Sequence, residues 1–239
     1  MSKQNDNPKP RREFLRKTLA LIPIAAASGA VLSPLNVTAT PAAGVSNQYV
    51  PVYFNNEEWM FILAACDRLI PSDANGPGAV TEGVPEFIDK QMQAPYGHGG
   101  LWYMHGPFVE AVPELGYQSK LTPREVYRIG IQAVNEYCVK THQKKFSELS
   151  HEIQETILTG LEKETIKLDA LPSSLFFNQI LQNSKEGYLA DPIHGGNQTM
   201  ASWKMIGFPG ARADYTDWVD QPNKPYPLGP VSISSKRSS

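Results

Sequence analysis

The sequence predicts a small all-α domain with long ordered loops and an extended C-terminal arm. Three observations predict it. Between Asn55 and Gly187, apolar residues recur at helical spacing in several separate stretches. Those stretches are bounded by helix-capping residues, prolines and a glycine. No run alternates apolar and polar residues as a half-buried strand would.

Asn55 to Ile70 reads as the first helix. Asn55 caps it, Glu58 completes a capping-box pattern, and Trp59, Ile62, Leu63, Cys66, Leu69 and Ile70 form its apolar face before Pro71 ends it. Residues 71–78 form a loop by composition. Pro85 to Met92 reads as a short helix with Pro85 at its first position, where the missing N–H costs nothing. The Gly- and aromatic-rich stretch from Pro95 to Phe108 has no clear period. Thr122-Pro123-Arg124-Glu125 starts another helix, with Val126, Ile129, Ala133, Val134, Tyr137 and Cys138 expected to face inward. Ser150 starts the next, with Ile153, Ile157, Leu158 and Leu161 inward. Ser173 is expected to cap a last helix carrying Phe176, Phe177, Ile180 and Leu181, closed by Gly187. Residues 188–239 are rich in Gly, Pro, Asn and aromatics with little periodicity, which reads as the arm.

The N-terminus has a different organisation. Met1 to Lys17 is polar and basic, Leu19 to Leu32 is apolar, and small residues follow, with cleavage expected after Ala39 or Ala42. The apolar stretch is well short of the roughly 20 residues that a spanning helix needs. Arg11-Arg12-Glu13-Phe14-Leu15-Arg16 resembles the twin-arginine export signal, with Arg11, Arg12, Phe14 and Leu15 as its core. The expected organisation is therefore a signal peptide over 1–39, a linker over 40–54 and a helical domain with its arm over 55–239. This export route moves folded proteins. Either the chain or a partner travelling with it is expected to acquire a cofactor first, and the destination is the periplasm.

The full chain has 22 Lys+Arg and 24 Asp+Glu, of which the first 39 residues hold 6 and 2. The remainder, 16 against 22, is acidic by about six charges and has no basic patch, so nucleic acid is not an expected partner. Cys66 and Cys138 are the two cysteines. In an oxidising compartment they read either as a disulfide tying two helices or as two buried thiols.

No motif for a resident cofactor is present. Gly97-His98-Gly99-Gly100 lacks the dinucleotide-binding spacing, there is no C-x-x-C-H, and two cysteines cannot hold an iron–sulfur cluster alone. His98, His105 and His194 sit in Gly-rich loops but match no standard metal-ligand spacing. Trp102, Tyr103, Phe108, Trp203, Phe208, Tyr215, Trp218 and Tyr226 place many rings in loops, either on the domain's own core or on a partner.

Two blocks carry a family resemblance. Ala65-Cys66-Asp67-Arg68-Leu69-Ile70-Pro71, Pro77-Gly78-Ala79 and Val84-Pro85-Glu86-Phe87-Ile88-Asp89 form the first. Phe176-Phe177, Glu186-Gly187-Tyr188, Asp191-Pro192, Gly195-Gly196-Asn197, Trp203 and Ile206-Gly207-Phe208-Pro209-Gly210 form the second. In order and spacing they resemble the gluconate 2-dehydrogenase subunit 3 family. That resemblance implies a non-catalytic small subunit without a cofactor of its own, in a membrane-associated complex at the periplasmic face of the inner membrane. It also implies a large partner subunit holding FAD and a multihaem cytochrome subunit holding haem c, with the small subunit supplying the signal read by the twin-arginine translocation machinery. Gluconate is the name-giving substrate; glucose, fructose and sorbitol are those of related complexes. Asp191, Gly195, Gly196, Asn197, Trp203, Phe208, Pro209 and Gly210 are the expected partner contacts, with the equal alternative that this segment wraps the domain's own helices. The competing reading is a free-standing periplasmic enzyme or metal protein built on the loop histidines.

Overall fold

A computed structural model describes residues 49–109 and 112–233, all within a unit spanning 42–239. The signal residues Arg11, Arg12, Phe14 and Leu15 and both expected cleavage positions lie outside the described residues. Among the described residues six α-helices run in the order α1 (Asn56–Leu69), α2 (Val84–Gln93), α3 (Pro123–His142), α4 (His151–Glu162), α5 (Ser173–Leu189) and α6 (Ala201–Ile206). Among the described residues there is no strand, as the sequence predicts.

The helix starts follow local chemistry. At α1 the Asn55 side chain accepts from Glu58 N and the Glu58 carboxylate accepts from Asn55 N, both at 3.0 Å, which satisfies two of the donors a helix start leaves open. At α3 the Glu125 carboxylate accepts from Thr122 N and Thr122 Oγ1, both at 2.7 Å. The face of α3 that enters the core is broader than the expected one. Tyr127, Gly130 and Ile131 are buried alongside Val126, Val134 and Cys138, while Ile129, Ala133 and Tyr137 are only partly covered. Tyr127 can enter because its hydroxyl donates to Asn183 Oδ1 at 3.0 Å, so its polar end is satisfied where it lies.

Helix α5 is the central element and packs against each of the other five. Phe61 of α1, Phe146 and Phe176 of α5 form the ring core, with Phe61 4.6 Å from Phe146 and 5.9 Å from Phe176 between centroids. Burying each ring contributes about 1.5–3 kcal/mol. Gly130 lets α3 approach this core, because a Cβ there would lie 2.1 Å from Phe176 Cδ2. Gly187 does not close α5 as expected. The helix continues to Leu189, and Gly187 is buried inside it, where a Cβ would lie 2.7 Å from the Phe87 ring. Ser173 is the first residue of α5 rather than its cap, and its hydroxyl accepts from Leu168 N at 3.0 Å.

Residues 49–54, expected as the end of a linker, belong to the fold. Asp89 on α2 is fully buried and its carboxylate gathers them. Oδ2 accepts from Tyr49 OH and Val52 N, both at 2.7 Å, and Oδ1 accepts from Tyr53 N at 3.1 Å and Phe54 N at 2.9 Å. Four donors on one carboxylate offset the cost of burying it.

Candidate functional site

The blocks that carry the family resemblance meet in space and brace one another. Glu82, fully buried, accepts from Thr199 N at 3.0 Å and Thr199 Oγ1 at 2.6 Å, and its backbone O accepts from Gln198 N at 3.2 Å. Tyr188 OH donates to Pro77 O at 2.8 Å. At Gly196 a Cβ would lie 2.1 Å from Gly187 O, so two backbones touch where only glycine fits. Gly78 plays the same part against Ser72 and Ile70. These residues scaffold the second block onto α2 and α5.

Of the eight residues expected as partner contacts, most are spent within the chain. Trp203 is 5% exposed; its Nε1 donates to Leu189 O at 2.8 Å and its ring meets Phe208 edge-on at 5.0 Å. It is a core residue of this block rather than a presented anchor, because α6 turns its ring back against the end of α5. Asn197 is fully buried, donating to Ala190 O at 3.0 Å and accepting from Ser202 Oγ at 2.8 Å. Gly195, Gly196 and Gly210 are buried, and Gly210 pairs with Val231 to bring the arm back. Asp191 holds that return, accepting from Ser232 Oγ at 2.6 Å, Ile233 N at 2.9 Å and Ile193 N at 3.0 Å. Partial burial pushes its carboxyl up, but these bonds outweigh it and leave the group below the usual carboxylate range. Pro209 is half-buried. Phe208, 45% exposed, is the one of the eight that faces solvent, beside the exposed Met205, Ile206 and Leu228.

Of the two readings of the cysteines, the structure shows the buried thiols, with Cys66 and Cys138 both free. Cys66 Sγ is instead 3.7 Å from Ser184 Oγ on α5, and burial pushes both thiols up to about 12. They pack as small hydrophobes.

The loop histidines are occupied separately. Arg124 Nη1 lies 2.6 Å from His98 Nε2, His105 packs beside the Tyr103 ring at 5.2 Å, and His194 is exposed at the end of a 3-10 turn over Pro192–His194. Among the described residues no group of three or more His, Cys, Asp or Glu is placed to hold a metal ion.

An open groove of about 600 Å³ lies between the start of α1 and α3. Two ion pairs line it, Glu58 with Arg128 at 3.2 Å and Glu57 with Lys145 at 2.6 Å, and Asn135 Nδ2 donates to Glu57 Oε1 at 3.2 Å. A second surface was missed by periodicity. Over residues 101–109 and 112–115 the loop before α3 leaves several large apolar side chains in solvent. High aromatic content in an aperiodic stretch was its only signal in the sequence.

The chain is matched over residues 56–210 by a family model described as gluconate 2-dehydrogenase subunit 3. No curated protein and no solved structure matches it.

Proposed function

The chain belongs to the gluconate 2-dehydrogenase subunit 3 family, and on that premise we propose that it is the non-catalytic small subunit of a periplasmic, FAD-dependent gluconate dehydrogenase. The family associates with other dehydrogenase subunits in a complex. In this reading the large subunit binds FAD and oxidises gluconate to 2-dehydrogluconate, and a multihaem cytochrome c subunit carries the electrons onward to quinone. This chain stabilises the folded flavin subunit and lends it the twin-arginine signal. The complex sits at the periplasmic face of the inner membrane; no helix among the described residues is long and apolar enough to cross one.

The observation that carries the proposal is the family match over 56–210. The geometry is compatible with it: within that match Glu82, Asn197 and Gly196 brace the chain internally. Among the described residues the two fully buried carboxylates, Glu82 and Asp89, spend their oxygens on hydrogen bonds within the chain. A carboxylate so occupied is poorly placed to exchange protons with a substrate.

The test is to purify the flavin subunit with and without this chain, and this chain alone, and to follow gluconate-dependent dye reduction. The expected result is flavin and turnover in the large subunit only, with a higher yield of active enzyme when the two are made together. Flavin or gluconate oxidation in the isolated small chain would overturn the proposal.

A further inference from the structure

We propose that residues 211–233 form a strap, latched by Asp191, that opens as one piece when the latch is protonated and bares the ring of Trp203. After α6 the chain passes Gly210, loops out and comes back at Val231. At this stem Ala211 N donates to Val231 O at 2.7 Å and Val231 N to Pro209 O at 3.2 Å. Gly210 and Ser232, at the two ends, are buried, and no residue from 211 to 231 is. Between the ends the strap packs on itself. Tyr226 meets Tyr215 at 5.7 Å and Trp218 at 5.4 Å, and the Arg212 guanidinium stands 5.6 Å from its ring. A segment with its own ring cluster and almost nothing buried lies at the low end of local stability, where chains open in cooperative pieces.

The strap closes on Trp203. A Cβ on Gly210 would lie 2.2 Å from Val231 O and 2.9 Å from Trp203 Cζ3, so the stem sits directly against the indole. A cavity of about 240 Å³ is lined by Trp203 and Phe208 together with Tyr226, Leu228 and Pro230 of the strap. With the strap shut, Trp203 is 5% exposed.

Asp191 follows the end of α5, on the domain side of the stem. Its Oδ1 accepts from Ser232 Oγ at 2.6 Å and Ile193 N at 3.0 Å, and its Oδ2 accepts from Ile233 N at 2.9 Å. Protonation turns one oxygen into a donor. The Ser232 hydroxyl can rotate and accept, but a backbone N–H cannot. Ile193 or Ile233 therefore loses its acceptor, and the bonds that survive lose their charge. His194, on the same turn, is the charged group whose field bears on Asp191, and the strap brings to it the Ser232 hydroxyl and the Ile233 N–H. Partial burial pushes the carboxyl up, and the bonds outweigh that and hold it below the usual range. The latch is therefore shut above an unfolded value of about 3.9 and released as pH falls through the lower folded one.

The experiment is hydrogen exchange read by mass spectrometry on the purified full chain, with Asp191→Asn and Ser232→Ala beside it. The peptides compared are those over 208–215, 227–233 and α5. At pH 6 the stem amides are expected to exchange at least about tenfold faster than those of α5, with little response to urea below the unfolding transition. Asp191→Asn is expected to speed them about a further tenfold, and Ser232→Ala severalfold. Corrected for the intrinsic rate, wild-type protection of the stem is expected to fall from pH 6 to pH 3 toward that of Asp191→Asn, whose own stays level. Hydroxyl-radical footprinting is expected to label Trp203 severalfold more at pH 3 than at pH 6. The strap is overturned if stem and α5 amides exchange at one rate and gain speed together in urea, because the arm then opens only with the whole domain. The latch is overturned if both variants exchange as wild type does at the stem, or if wild-type protection there is the same at both pH values. Unchanged labelling of Trp203 beside an opened stem overturns the baring of its ring.

Discussion

Asp89→Asn tests how the fold holds its N-terminal segment. The carboxylate takes four donors, two on each oxygen. An amide offers one acceptor oxygen and one NH₂, so one pair of donors loses its acceptor. If the NH₂ replaces Oδ2, Tyr49 OH can rotate and accept from it, but Val52 N is left facing another donor. An unsatisfied donor out of water costs about 1–3 kcal/mol, and the two bonds that survive drop from the charged to the neutral range. The sum is about 3 kcal/mol. For a domain of this size each kcal/mol moves Tm by about 2–4 °C, so Asp89→Asn is expected to melt about 6–12 °C lower. Tyr49→Phe removes one bond of the four and serves as the internal scale, at about 1 kcal/mol. Circular dichroism melts give Tm, and limited proteolysis at 49–54 reports whether the segment detaches. An Asp89→Asn variant melting within about 2 °C of wild type, with the segment still protected, would refute the reasoning.

Three further outcomes follow from the packing. Gly130→Ala gains about 1 kcal/mol of helix propensity, but its Cβ would stand 2.1 Å from Phe176 Cδ2, and overpacking costs about 1–3 kcal/mol. A net fall in Tm is expected, and a more stable variant would show that the ring can move aside. Cys66 and Cys138 are expected to titrate as two free thiols after denaturation without reductant, and to resist alkylation at pH 8 while folded because burial pushes both up to about 12; an intact mass of the oxidised form contradicts this. Asp191 is held below the usual carboxylate range when folded, so its contribution is present above an unfolded value of about 3.9 and is lost as pH falls through the lower folded one. The Tm gap between wild type and Asp191→Asn should therefore be full at pH 6 and close below about pH 4; a gap that widens on acidification has the wrong sign.

Local chemistry made the helices legible, and burial is where reading by period fell short. Asn55/Glu58, Thr122/Glu125 and the prolines at 71, 85 and 123 announce helix boundaries that the structure keeps within a residue or two. On α3 the inward face extends past the expected one to a glycine and a tyrosine, and neither reads as core. Gly130 is there for the Phe176 ring, and Tyr127 is admitted only by Asn183 from a helix some fifty residues on. Gly187 has the composition of a helix end but serves a close approach to Phe87 and Gly196. The second motif block was legible as an ordered set of residues. Its role was not, because Trp203 and Asn197 are defined by partners at Leu189, Ala190 and Ser202 that no period connects to them. The loop at 101–115 showed its aromatics in the sequence, but which ring stacks inward, as Trp102 does, and which stands in solvent, as Tyr103 does, depends on Tyr96 and Tyr117.

In the function proposed above, this chain exports and supports a flavoprotein rather than doing chemistry of its own. The most direct measurement is the location of the flavin subunit in cells that express this chain with Arg11→Lys and Arg12→Lys. The account predicts that both proteins stay in the cytoplasm, with the flavin subunit folded and loaded, and that gluconate oxidation by intact cells is lost. A flavin subunit that still reaches the periplasm in its active form beside the stranded variant would contradict it.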